Sequence, residues 1–264
     1  MKSRLKQWLE AAPPPAEEET VFREHWLEQA ATESTPFRLA SRGGLLAGRF
    51  SFVFSAGYQV ALRHVFPGLL GTDWGAFAVS EGRDGLSGVT YRTVDETVRL
   101  TGFKTWVAAS DVCTDLIVSA QGDEGWRYFH VRRGAPGVCV TTRPPGRVLP
   151  DLSQGQVELT GAIATPVATD RVDRFGASEA LFIYVAFLSS TWARFADRRD
   201  EVEVALDQAR DCAESVPIGW DDAMKSLDRA VQSILGSLRE RECAEETLWR
   251  RDYKLIAMYG KSGH

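Results

Sequence analysis

Cysteine, histidine and methionine are all scarce here: four, four and three among 264 residues. The cysteines (Cys113, Cys139, Cys212, Cys243) lie far apart, form no CxxC and have no histidine at a ligand spacing. Neither a zinc site nor a disulfide framework is expected, only buried reduced thiols. His25, His64, His130 and His264 are equally scattered and GxSxG is absent, so no hydrolase signature can be read. Positive charge is not in excess. A net charge of -5 and a pI near 5.5 remove the bulk electrostatic argument for nucleic acid or an anionic membrane. Long apolar runs are missing as well. The longest, "ALFIYVAFL" from Ala180 to Leu188, falls far short of the roughly 20 residues a membrane helix needs. The first residues, "MKSRLKQWLEAAPPPAEEE", lack the apolar stretch of a secretion signal. A soluble, cytoplasmic protein is expected.

The chain is 44% hydrophobic and 25% charged, ample for a core and long enough for packed subdomains. Its texture changes twice. Residues 1–73 read as a helical segment, interrupted at Pro13 to Pro15, where prolines remove donors and forbid helical neighbours. "VFREHWLEQAA" and "AGRFSFVFSAGYQVALRHVF" carry helical apolar spacing. Residues 74–168 hold short runs rich in Val, Thr and aromatics: "AFAVSE", "GVTYRTV", "TVRLTGFKTWVA", "DLIVSAQ", "WRYFHVRR", "GVCVTTR" and "QVELTGAIATPV". Gly, Pro and Asp clusters part them, which predicts an antiparallel barrel or sandwich. Residues 169–264 return to helix. There Met224, Leu227, Ala230, Val231, Ile234, Leu235 and Leu238 share one face, and "EALFIYVAFLSSTWARF" is apolar nearly all round. The class is α+β: a helical N-terminal segment, a central antiparallel β-domain and a C-terminal helical bundle.

Few motifs carry chemistry by themselves. The glycines of "EGRDGLSG" (Gly82, Gly85, Gly88) do not spell GxGxxG and precede a strand, so they read as an inter-strand turn and not as a dinucleotide loop. "ARFADRRDEVEVALDQARD" reads as a solvated helix face. Trp106 alone would be strand core, and Lys104 part of the turn entering that strand.

Taken in order, "AFAVSE", "LTGFKTWVAAS", "TDLIVSA", "VELTGAIATPVATDRV" and "LWRRDYKLIAMYGKSG" resemble segments of the acyl-CoA dehydrogenase family. The resemblance runs roughly from Ser55 to Gly263. It implies FAD as cofactor, with Phe77, Val79 and Ser80 on a strand that touches the isoalloxazine ring. Trp106, Val107 and Ala108 match the segment covering the flavin, and Gly85 and Ser87 match a substrate-binding turn. An indole packs broadly on a flat heteroaromatic, while the cofactor carries the redox chemistry. The resemblance further implies an acyl-CoA or other acyl thioester as substrate, a carboxylate base, and a homo-oligomer (dimer or tetramer) or a heteromer with a catalytic paralogue.

The departures are specific. Ala108 stands where the family has Thr or Ser, Gly82 where it has Pro, and Leu86 where it has Ser. Counting back from Arg251–Asp252, one base position of the family falls on Cys243, beside Glu242. A second branch places the base early in the first C-terminal helix, where "SEALF" offers Glu179. A bland reading of Glu179 is a helix-start acid favoured by the macrodipole, with Ser178 near the cap. Arg194–Phe195 only echoes the family's adenine-end pattern. Three functions therefore stand open: an FAD-dependent dehydrogenase of acyl thioesters, a non-catalytic paralogue acting as a structural or regulatory subunit, and a flavin-dependent oxygenase of the same superfamily.

Overall fold

The computed structural model describes residues 2–69, 73–81, 88–168, 170–215, 218–239 and 253–262. Contacts divide the chain into a helical unit (Met1–His64, Arg147–Asp151 and Arg174–His264) and a β unit (Val65–Gly146 and Leu152–Asp173).

The helical unit begins with α1 (Lys2–Ala11), which stops just before the prolines, and α2 (Glu19–His25), which runs on into one π-helical turn, Trp26–Ala30. Helix α3 (Pro36–Leu46) was not legible from apolar spacing. Its signal is at the start: the Thr35 side chain accepts a hydrogen bond from the Arg38 N–H, and Pro36 occupies the first turn. Helix α4 (Phe50–Val65) follows, and then, beyond the β unit, α5 (Phe175–Arg194), α6 (Arg199–Glu214), α7 (Asp222–Arg239) and α8 (Tyr253–Ser262). Helix α5 is the central one, buried from Ala180 through Trp192 and packed against α3, α6 and α7. Two glycines allow that closeness. A Cβ on Gly44 of α3 would lie 2.2 Å from the Ala186 carbonyl oxygen, and one on Gly57 of α4 would lie 2.4 Å from the Ile183 amide nitrogen. The stripe expected on α7 is buried at Met224, Leu227, Val231, Ile234, Leu235 and Leu238. No helix of the described residues is long and apolar enough to cross a membrane.

Each of the seven segments read as strands forms one: β1 (Gly75–Ala78), β2 (Thr90–Val94), β3 (Thr97–Ala108), β4 (Asp115–Gly122), β5 (Gly125–Arg132), β6 (Val138–Thr142) and β7 (Gln154–Pro166). Their order is β1-β4-β2-β3-β7-β5, with β6 on β7 and β5 also paired to β4. The last pairing closes the path, which makes the sheet barrel-like. The sheet is not wholly antiparallel, as was expected: β1 runs parallel to β4, because the β2–β3 hairpin intervenes between them in the chain. That hairpin turns at Asp95 and Glu96, both with positive φ (49° and 62°), the backbone that matches a two-residue turn to the strand twist. Leu100, Leu116, Val118, Phe129, Val157 and Leu159 fill the interior. Cys113 and Cys212 are buried thiols, but Cys139 is exposed, because strand alternation on β6 turns it outward.

Candidate functional site

In the β unit the candidate site is built on an irregularity. Along β3 and β7, Lys104 stands opposite Val157 and Val107 opposite Gly155. Three steps on one strand against two on the other make a β-bulge at Thr105–Trp106. Strict alternation would carry Trp106 inward after Lys104. The bulge instead buries Lys104 and Val107 and leaves Thr105 and Trp106 half-buried on the outer side. The indole is then oriented by its Nε1–H, which donates to Gln154 Oε1 at 3.1 Å.

The other motif strand comes to the same place. The Ser80 carbonyl accepts from the Thr105 N–H at 2.9 Å and from the Thr105 hydroxyl at 3.2 Å. "AFAVSE" and "GFKTWVAAS" are therefore neighbours, with Val79 and Ser80 exposed beside the bulge. Phe77 lies deeper, its ring 5.5 Å from that of Phe66 and 5.7 Å from that of Tyr128. Val107 and Ala108 are buried, and Ala108 stands in register with Gln154. Gly85 and Ser87, with Gly82 and Leu86, lie outside the described residues.

Lys104 is no turn residue. It sits within β3 at 0% exposure, its Nζ 2.5 Å from Glu81 Oε1 and 3.0 Å from Ser119 Oγ. Burial pulls its pKa down, and the hydrogen bond and charge of Glu81 act the other way. Sequence reasoning missed this pair; the available signal was an acid at the end of one strand and a lysine at an inward position of another. A buried acid, Asp115, organises a further polar group at the start of β4. Asp115 accepts from Thr114 Oγ1 (2.8 Å) and Arg132 (3.1 Å) and lies 2.6 Å from His130 Nε2. Burial would raise its pKa, but the hydrogen bonds from His130 and Thr114 and the charge of Arg132 together hold it below the usual carboxylate value. Among the described residues no group of histidine, cysteine or acidic side chains is placed to hold a metal ion.

The helical unit carries the acid read from "SEALF". Glu179 is the fifth residue of α5, past the first turn, so a helix-start role does not account for it. The residue as a whole is half-buried, and burial of its carboxyl pushes the pKa up to about 7 against the opposing pull of a hydrogen bond from the Tyr259 hydroxyl. Burial and the Glu179 charge raise the Tyr259 pKa in turn. Ser178, beside it, is buried, and its hydroxyl finds no partner among the described residues. The alternative base positions, Glu242 and Cys243, and the pair Arg251–Asp252 lie outside the described residues.

No protein-family model matches the chain, and no curated protein does. Solved structures do. A structure described as an FAD-dependent dehydrogenase is similar at a TM-score of 0.70 and 14% identity, over 98% of this chain and 92% of that one. Butyryl-CoA dehydrogenase from Megasphaera elsdenii is similar at a TM-score of 0.64 and 15% identity, over 93% and 88%. The prolyl acyl carrier protein oxidase AnaB is similar at 0.63 and 14%, over 91% and 87%. Identities this low establish likeness of fold: the chain is a mixed α+β protein whose barrel-like sheet and helices match acyl-CoA dehydrogenase-like structures.

Proposed function

We propose that this chain is a flavin-dependent oxidoreductase of the acyl-CoA dehydrogenase type, taking FAD and oxidising a CH–CH bond of an acyl thioester. The observation that carries the reading is the bonding of Ser80 to Thr105, which sets the two flavin-motif strands side by side. The residues present fit a flat heteroaromatic group in part. Trp106 offers an indole that its N–H bond to Gln154 orients. Val79 and Ser80 offer exposed strand end beside it. Val107 and Ala108 would contribute through their main chain, since both side chains are buried, and Phe77 would support the wall from behind.

FAD, when bound, supplies the acceptor for a hydride leaving the substrate's β-carbon. The protein's own task is the α-proton. Glu179 would accept it, since a carboxyl titrating near 7 is half ionised at neutral pH and close to the optimum for general-base work. The substrate turn would be Gly85 and Ser87, and the working form an oligomer.

The visible spectrum of the purified protein, before and after added FAD, tests this directly. A flavin spectrum with FAD retained, bleached by an acyl-CoA panel without oxygen, is the expected result. A retained flavin that no acyl-CoA bleaches without oxygen, in a protein whose substrate gains an oxygen atom in air, would move the reading to an oxygenase. One observation favours a different class: Ala108, 1% exposed, brings no hydroxyl to the segment where the family has one. A colourless protein with no thermal stabilisation by excess FAD would sink the enzyme reading and leave a structural or regulatory subunit.

A further inference from the structure

A chain of polar contacts that ends at Glu179 passes through α8. Gln232 of α7 donates through Nε2 to the Ile256 carbonyl of α8 at 3.0 Å and to Asp228 Oδ1 at 3.1 Å. The same Asp228 oxygen accepts from the Tyr184 hydroxyl of α5 at 2.6 Å. The Tyr184 ring in turn meets the Tyr259 ring edge-on, 6.4 Å between centroids at 87°. Leu255 and Ile256 seat α8 by burial. Each contact fixes where α8 lies on α5 and α7, and the end of the chain of contacts is the Tyr259 hydroxyl on the Glu179 carboxyl.

We propose that Tyr259 is the positioning residue for Glu179, and that α8 serves to deliver its hydroxyl to that carboxyl. This rests on the reading of Glu179 as the proton acceptor. A phenol donor holds one carboxylate oxygen in place and stabilises the ionised form, and it leaves the other oxygen to face the proton it takes. The ionisable groups around the pair are the hydroxyls of Tyr58 from α4, Tyr184 from α5 and Tyr259 from α8, with the carboxyl of Asp228 from α7. Burial raises the phenol pKa of both Tyr184 and Tyr259 above its ordinary value, so neither ionises in the neutral range. Glu179 is therefore the group that changes charge at its own hydrogen bond.

The experiment is an infrared titration of the full chain as purified, following the carboxyl band that Glu179→Gln removes, in the parent and in Tyr259→Phe. The parent midpoint is expected near 7. Loss of one hydrogen bond to the ionised form should move it up by about half a pH unit or more. A matching upward shift in the pH profile of turnover, with kcat reduced more than KM, is expected in the flavin-loaded enzyme. An unmoved midpoint in a folded Tyr259→Phe protein would overturn the proposal. Should that variant fail to fold, Gln232→Leu, which loosens α8 while keeping Tyr259, must raise the midpoint too, and an unchanged value would count equally against it. Because the titration needs no flavin, a colourless protein would end the dehydrogenase reading without deciding this contact.

Discussion

Glu179 and Trp106 are the residues whose surroundings make the sharpest demands. The Glu179 pKa is raised in the folded chain from 4.5 to about 7. A carboxyl raised in this way adds stability that is fully present below pH 4.5 and is lost as pH climbs through 7. The protonated form is the one that burial favours. Comparing denaturant midpoints of the parent and Glu179→Gln from pH 4 to 8 should show the parent losing roughly 3 kcal/mol relative to the variant across that window. Parallel curves would mean the carboxyl titrates as it does in water. Trp106→Ala should keep the fold, since the indole is half-buried and outside the barrel interior. It should weaken FAD binding about tenfold, the value of one aromatic stacking contact; titration of flavin fluorescence measures it. Neither residue's hydrogen-bond partner could be read from its neighbours in the chain, because each lies far away: Gln154 for Trp106 and Tyr259 for Glu179.

At the scale of elements, the ion pair between Lys104 and Glu81 ties the end of β1 to β3. Its two halves differ: Lys104 is wholly buried, whereas the Glu81 side chain is 32% exposed. The variants should differ accordingly. Glu81→Gln strands a buried ammonium and should cost about 3 kcal/mol, while Lys104→Met replaces a buried charge with an apolar chain of similar length and leaves a carboxylate that water reaches, at a cost nearer 1 kcal/mol. Equal losses in urea unfolding would show that the pair acts by geometry alone. In the helical unit, Gly57→Ala should cost about 2 kcal/mol or more, because the added methyl meets backbone of α5 that cannot swing aside. Enrichment in Val, Thr and aromatics between turn clusters made the seven β-segments legible, and apolar spacing did the same for α4 and α7. It did not reveal α3, whose evidence is a cap and a proline, nor the bulge in β3, which exists only as a register difference against β7.

For the molecule as a whole, FAD at a hundredfold excess over its dissociation constant should raise stability by about 2.7 kcal/mol if it binds only the folded chain. A thermal midpoint that does not move with FAD would argue for the subunit reading. Light scattering should return a dimer or tetramer if assembly follows the proposed function. The alternation of helical, β and helical texture came from local periodicity, which a sequence carries in every short window. The sequence also showed which residue types stand at the positions proposed to line a flavin, including alanine at 108. Tertiary structure alone decided that the first and last helical stretches share one unit, that Ser80 bonds Thr105 across 25 residues, that Lys104 is interior, and that Tyr259 reaches Glu179. The physical reason is the same in each case. Periodicity records which face of an element is apolar, whereas register, closure and the depth of a charge depend on contacts between residues far apart in the chain, and no local pattern encodes those.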